Sequence, residues 1–337
     1  MIIVLKPNLS TKDQSAVLKE IKRLGYQPHV MRGVARTVIG AIGDERTHQS
    51  LDVLRAWPQV ESVTPIQKRY KLVSREAHPQ NSTVRARNVV IGARPFIVMA
   101  GPCSVESERQ LLDTAHGVKA AGAQILRGGA FKPRTSPYEF QGLGEKGLKL
   151  LAKARKETGL PIITELLSED HAELVAEYAD ILQIGARNSQ NFQLLIAAAK
   201  TGKPVLLKRG LSMKIEEWLL AGEYVLSNNN AGLLFCERGI RTFETYTRNT
   251  LDLAAIPIIK QESHCPVVID PSQGAGRADL VASLCKGAVA MGADALLIEV
   301  HPNPKAAMSD SAQQLSLEGF AQLMKDLKPF ITAAGRD

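Results

Sequence analysis

Aromatic residues are scarce, at 5% of the 337-residue chain, and the basic residues are scattered rather than gathered into a stripe. Nucleic-acid binding needs a clustered basic face, and single strands also need aromatic platforms. Nucleic acid is therefore not an expected partner. Long apolar runs are missing too: none approaches the ~20 residues that span a bilayer, so no membrane association is expected. The opening MIIVLKPNLS has no basic region ahead of an apolar stretch and no small-residue cleavage site, so no secretory signal is expected. Cysteines number four (Cys103, Cys236, Cys265, Cys285), and none belongs to a C-x-x-C pair. This argues against a disulfide framework and for a reducing, cytoplasmic location. No G-x-G-x-x-G follows the first apolar run of the main body, which counts against a dinucleotide-binding open sheet.

What is present begins with a net charge of +8. With no basic cluster to serve nucleic acid, small anionic substrates account for the excess. The length suits a large domain with a small appendage. The N-terminal seventy or so residues read as β-α-β-β-α-β. IIVLK (2–6) is a strand, and a helix capped by Ser10 or Thr11 carries Val17, Leu18, Ile21 and Leu24 at helical spacing up to Gly25. PHVMR (28–32) and RTVIGAI (36–42) are strands around Gly33, followed by a helix over 47–56 and the strand VESVTPI (60–66). That order predicts a ferredoxin-like α+β domain over 1–72. Regulatory and purely structural roles are both open to it. The polar stretch 73–90 reads as a linker.

From 91 to 337 the pattern changes. Short apolar runs alternate with amphipathic segments such as 145–157 and 169–178. The runs are FIVMA (96–100), AQILR (123–127), PIITE (161–165), DILQI (180–184), PVLLK (204–208), GLLFC (232–236), PVVID (266–270) and ALLIE (295–299). Each is nearly all apolar, as a parallel strand buried on both faces should be. Eight strand–helix units predict an α/β fold of the (β/α)8 TIM-barrel type.

Chemistry in such barrels sits at the carboxyl ends of the strands. Those ends carry Arg127, then Lys132, Arg134 and Thr135 in the following loop, Glu165, Arg187, Lys208 with Arg209, Glu237 with Arg238 and Arg241, Asp270 with Gln273, and Glu299 with His301. Cations brought to one rim repel unless anions separate them, which points to bound phosphate or carboxylate groups. Cys103 after the first barrel strand, with Glu299 and Asp310, offers a thiolate and carboxylates that suit a divalent transition metal. A lone cysteine at such a place is more often simply buried.

At these residues the chain resembles the 3-deoxy-D-arabino-heptulosonate 7-phosphate (DAHP) synthases, of the type I beta class with an N-terminal ferredoxin-like domain. The matching stretches include AGPCSVES, LRGGAFKPRTSPYEFQGLGEKGL, EYADILQIGARNSQNF, PVLLKRG, CERGIRTFET and EVHPNPKAAMSD, and they run through almost the whole chain. The resemblance implies condensation of phosphoenolpyruvate with erythrose 4-phosphate. Arg127, Lys132, Arg187, Lys208 and Arg238 are expected around phosphoenolpyruvate, with Lys132 as a catalytic proton donor. Arg134 and Thr135 are expected on the phosphate of erythrose 4-phosphate. It further implies a divalent metal on Cys103, Glu299 and Asp310, a homotetramer, and scope for an aromatic amino-acid effector at the N-terminal domain.

One departure falls on the metal. The family carries D-P-S-H after strand 7, its histidine a fourth ligand, whereas this chain has Gln273. His301 is no substitute, because EVHP itself matches the family. A glutamine oxygen is neutral, weakly basic and hard, so as a ligand it favours Mn2+ or Mg2+ over Zn2+, Co2+ and Fe2+. Mn2+ is the expected ion and an active synthase the leading expectation. The alternatives are a weakly active or inactive paralogue with a regulatory or binding role, and a related synthase using another phosphorylated aldehyde. KPRTS argues against the octulosonate-forming sibling, whose loop is of the K-A-N-R-S type.

Overall fold

The structure, a computed structural model, describes residues 1–32, 37–43, 48–64, 69–134 and 136–337. The chain divides into two compact units, Met1–Arg69 and Tyr70–Asp337.

In the first unit, strands β1 (Ile2–Leu5), β2 (Gln27–Arg32), β3 (Thr37–Ile42) and β4 (Val60–Thr64) form an antiparallel sheet in the order β2-β3-β1-β4. That is the ferredoxin-like arrangement. Helix α1 (Thr11–Arg23) starts at Ser10, whose hydroxyl accepts the Asp13 N–H at 3.1 Å. Its Val17 and Ile21, one turn apart, bury against Ile3, Leu5 and Ile39. The helix expected over 47–56 is, in the described residues, a single 3-10 segment, Leu51–Ala56. Leu51 and Leu54 are both fully buried, and a three-residue repeat aligns them. Pro58 then opposes helical continuation. Residues 33–36, 47, 65 and 66 of the expected elements lie outside the described residues.

In the second unit, β7 (Ile97–Gly101), β8 (Ile125–Arg127), β9 (Ile162–Leu166), β10 (Ile181–Ile184), β11 (Val205–Lys208), β12 (Leu233–Glu237), β13 (Val267–Ile269) and β14 (Ala295–Glu299) follow one another around a closed barrel. Every pairing is parallel, including the closing pair β14–β7. Outside lie α2 (Glu108–Ala120), α3 (Glu145–Thr158), α4 (Ala172–Tyr178), α5 (Phe192–Lys200), α6 (Ile215–Leu226), α7 (Ala255–Glu262), α9 (Ala278–Ala290) and α10 (Leu317–Ala333), while the short α8 (Pro271–Ala275) sits at the carboxyl end of β13.

Two expectations change. The stretch read as a linker, 73–90, is fastened to the barrel, as are the last residues of the expected 1–72 domain. The backbone N–H of Val73, with those of Lys71 and Leu72 before it, donates to the Glu223 carboxylate at 2.8–3.0 Å. A hairpin of β5 (Val84–Ala86) and β6 (Val89–Ile91) puts Val84, Ala86, Val89 and Ile91 into the same core as Ile97, Met99, Ile125 and Leu206 of the barrel interior. Four alternating small apolar residues, masked by polar neighbours, are enough to close one end. The turn at Pro271–Gln273 is instead the short helix α8. Asp270 accepts the Gln273 N–H at 2.9 Å, Pro271 stands at the first helical position, and Gly276 ends the helix in the left-handed region (φ 68°).

Candidate active site

Each barrel strand alternates between two cores, and the alternation builds the site. Ile125, Ile163, Ile181, Leu206, Cys236, Val268 and Leu297 fill the barrel, while Leu126, Ile162, Leu182, Leu207 and Leu296 pack against helices. Two residues beyond the first series stand Arg127, Glu165, Gln183, Lys208, Arg238, Asp270 and Glu299. Period two thus turns an apolar plug into a polar top layer at the carboxyl ends of the strands.

Above this layer lies a cavity of about 240 Å³. Among the described residues seven cations line it (Arg127, Lys132, Arg134, Arg187, Lys208, Arg238 and Arg248) against three carboxylates (Glu139, Glu165 and Asp310). The structure therefore gathers Arg127, Lys132, Arg134, Arg187, Lys208 and Arg238 into one space, but not Arg209 or Arg241 of the expected rim; Thr135 lies outside the described residues. Glu165, already a strand end in the sequence, belongs to the set as well, and the period-two face of β10 adds Gln183. Glu139 and Arg248 arrive on long loops, where no local pattern announces them.

Four of the cations are buried. Arg127 donates to Glu299 Oε1 at 2.9 Å and to the Cys103 carbonyl at 3.3 Å, while its buried Nε finds no partner among the described residues. Lys132 Nζ lies 3.2 Å from the Cys103 carbonyl and 3.1 Å from its sulfur. Burial works against the Lys132 charge, but Cys103, Glu165 and Glu299 outweigh it and hold the ammonium above its ordinary pKa. Lys208 pairs with Asp270 at 2.6 Å, and Arg238 donates to Gln273 Oε1 at 2.6 Å. Burial pulls the Arg238 pKa below its ordinary value. Nearer the surface, Arg134 pairs with Glu139 at 2.8 Å and Arg187 is exposed at the rim. The neighbouring Arg209 faces away, to Glu237 and Asp252 at 2.9 and 2.8 Å.

Beside these cations, Cys103, Glu299 and Asp310 hold their ligand atoms within 4.8 Å of one another. One sulfur and two carboxylates at that spacing fit a divalent transition metal. Burial pushes the Cys103 thiol up to about 12. Burial would also raise the Asp310 carboxyl, but Arg248 and Lys132 overcome it and hold it well below the usual range. Asp310 sits in left-handed backbone (φ 46°) in a loop strapped by Glu106. That carboxylate accepts the Met308 N–H at 2.9 Å and faces His301 Nε2 at 3.2 Å. Gln273 adjoins the trio with its nitrogen, not its oxygen: Nε2 donates to Glu299 Oε1 at 3.0 Å and to Asp310 Oδ2 at 3.2 Å. This orientation is the reverse of what ligation requires.

Fold and site define a class: (β/α)8-barrel proteins with a cation-lined cavity suited to small anions, beside a thiol–carboxylate cluster that could hold a metal. The family described as "DAHP synthetase I family" matches residues 72–333, and "DAHP synthase ferredoxin-like domain" matches 1–68. The chain belongs to the DAHP synthetase I family. A phospho-2-dehydro-3-deoxyheptonate aldolase of Thermotoga maritima is 50% identical over 335 residues, 99% of either chain. A crystal structure of a protein so named, from the same organism, superposes with a TM-score of 0.95 at 49% identity, covering 100% of this chain and 98% of its own. A 2-dehydro-3-deoxyphosphooctonate aldolase of Syntrophotalea carbinolica is 33% identical over 264 residues, 73% of this chain and 94% of its own. The reaction that membership carries is condensation of phosphoenolpyruvate with erythrose 4-phosphate, in the shikimate pathway, and the family is metal-dependent. Among the described residues no helix is long and apolar enough to cross a membrane.

Proposed function

We propose that the chain runs this condensation with phosphoenolpyruvate on Arg127, Lys132, Lys208 and Arg238, and with Arg187 closing over it from the rim. The observation that carries the assignment is the gathering of four buried cations, Arg127, Lys132, Lys208 and Arg238, on one cavity lined by seven. The phosphate of erythrose 4-phosphate is taken by Arg134 and Thr135, with Glu139 giving up its pair to Arg134. A divalent ion, Mn2+ in this proposal, is held by Cys103, Glu299 and Asp310 and, when bound, polarises or orients the aldehyde.

Carbon 3 of phosphoenolpyruvate bonds to the aldehyde carbon, and Lys132 Nζ gives a proton to the aldehyde oxygen. Water adds at carbon 2 and phosphate leaves; the proton shed by that water balances the one given by Lys132. The four buried cations hold the two anions against their mutual repulsion, so proximity is supplied by the top layer itself. Catalysis belongs to the barrel. Residues 1–72 act as a regulatory domain for an aromatic amino acid, a reading supported by the family of the 1–68 match and by that unit's own core. A homotetramer is proposed on the resemblance alone.

The test is turnover. Chelator-stripped protein is assayed with both substrates across Mn2+, Mg2+, Co2+ and Zn2+. Activity is expected with Mn2+ in front, and no turnover with any ion would overturn the proposal.

A further inference from the structure

Gln273 stands between the anion and cation halves of the site. Its backbone is pinned on both sides: the N–H donates to Asp270 Oδ1 at 2.9 Å, and the carbonyl accepts from Asn249 Nδ2 at 2.9 Å. Its side chain bridges the halves. Oε1 accepts from Arg238 at 2.6 Å, and Nε2 reaches Glu299 Oε1 at 3.0 Å and Asp310 Oδ2 at 3.2 Å. Chemistry fixes this orientation. A guanidinium only donates and ionised carboxylates only accept, so the amide oxygen must face Arg238 and the nitrogen the carboxylates. Turning the oxygen toward a cation would set NH2 against the buried Arg238, donor against donor.

We infer that Gln273 is a positioning residue and not a metal ligand: its amide protons compete with a divalent cation for Glu299 and Asp310, while its oxygen holds Arg238 in place for the enolpyruvate anion. The inference rests on the cation site of the proposed function. It reverses the sign expected of a ligand. Deleting a ligand weakens a cation, whereas deleting a competing donor frees two carboxylates and tightens it. Hydrogen bonds to charged groups are strong enough for a change of about tenfold.

The experiment uses the full chain without erythrose 4-phosphate. Mn2+ is titrated and followed by the paramagnetic resonance of the free ion, and phosphoenolpyruvate is titrated separately by calorimetry in the absence of metal. Wild type, Gln273→Ala and Gln273→Met are compared. Methionine is similar in length, carries no amide protons and offers Mn2+ and Arg238 no strong acceptor, and it serves should the alanine variant fold poorly. Expected are Mn2+ binding about tenfold tighter and phosphoenolpyruvate binding about tenfold weaker in both variants. Weaker Mn2+ binding in Gln273→Ala would make Gln273 a ligand and overturn the inference, as would Mn2+ affinity unchanged in both variants. No Mn2+ binding in any of the three counts against the cation site itself. The link to Arg238 is then decided by phosphoenolpyruvate, and equal affinity in wild type and Gln273→Ala defeats it.

Discussion

Replacing Asp270 by asparagine isolates one electrostatic contribution to the site. Asp270 is wholly buried; one oxygen lies 2.6 Å from Lys208 Nζ and the other accepts the Gln273 N–H at 2.9 Å. Asparagine keeps the oxygen that caps α8 but sets an NH2 against the ammonium. At an effective dielectric of about 20, two charges at this distance attract by about 6 kcal/mol, and desolvation offsets part of it. Removing one partner of a buried pair costs roughly 3–5 kcal/mol, so Asp270→Asn should destabilise the barrel by about 3 kcal/mol. Lys208→Met in the same chain removes the orphaned charge, and the double variant should recover at least about 1 kcal/mol of that loss. Urea unfolding followed by Trp218 fluorescence measures this. Trp218 is fully buried in the barrel, and a Trp57→Phe background silences the tryptophan of the other unit. Because a negative charge has left the cation set, phosphoenolpyruvate should bind Asp270→Asn at least as tightly as wild type. A stability loss under about 1 kcal/mol, or stability and affinity falling together, would refute the reasoning.

Three further outcomes follow from the geometry. The Cys103 thiol, raised to about 12 by burial, is protonated at neutral pH, so taking up Mn2+ as a thiolate releases a proton. Mn2+ affinity should therefore rise with pH, by about tenfold per unit between roughly pH 6 and 8, and a Cys103→Ser variant should lose this slope in the same titration. Glu106→Gln weakens the strap on the Asp310 loop; amide exchange across 302–312 should speed up and Mn2+ affinity fall by about tenfold, the usual scale for residues that orient ligands. In the proposed arrangement Glu139 competes with substrate for Arg134 through a half-exposed pair worth at most about 1 kcal/mol. Glu139→Gln should thus lower the KM for erythrose 4-phosphate by no more than about fivefold, with kcat unchanged, whereas Arg134→Ala should raise it.

The barrel was legible because each strand is a short apolar run with polar residues at or just beyond its carboxyl end, and each run lies within two residues of its observed strand. Gathering Arg127, Lys132, Lys208 and Arg238 into one cavity needed only the rule that strand ends share a rim. What escaped depended on distance in the chain. The hairpin Val84–Ile91 is apolar on one side only, and its polar neighbours read as a tether. Its burial is decided by the barrel floor, which no local window contains. Arg248 joins the cavity through Asp310 and Gln313, at 3.0 and 3.2 Å and some sixty residues away. For Gln273 the residue type gave the position, but only its three partners gave the direction of the amide.

The hairpin at the barrel floor has a consequence for traffic. With Val84, Ala86, Val89 and Ile91 packed into the inner core, the lower end of the barrel is filled among the described residues, and in the proposed reaction substrates and products pass the upper rim. In the proposed arrangement the anion on the deep, buried cations enters before the one on the Arg134 loop nearer the surface, and the order reverses on the way out. The closed floor thus lays down an order of arrival as well as a place to react.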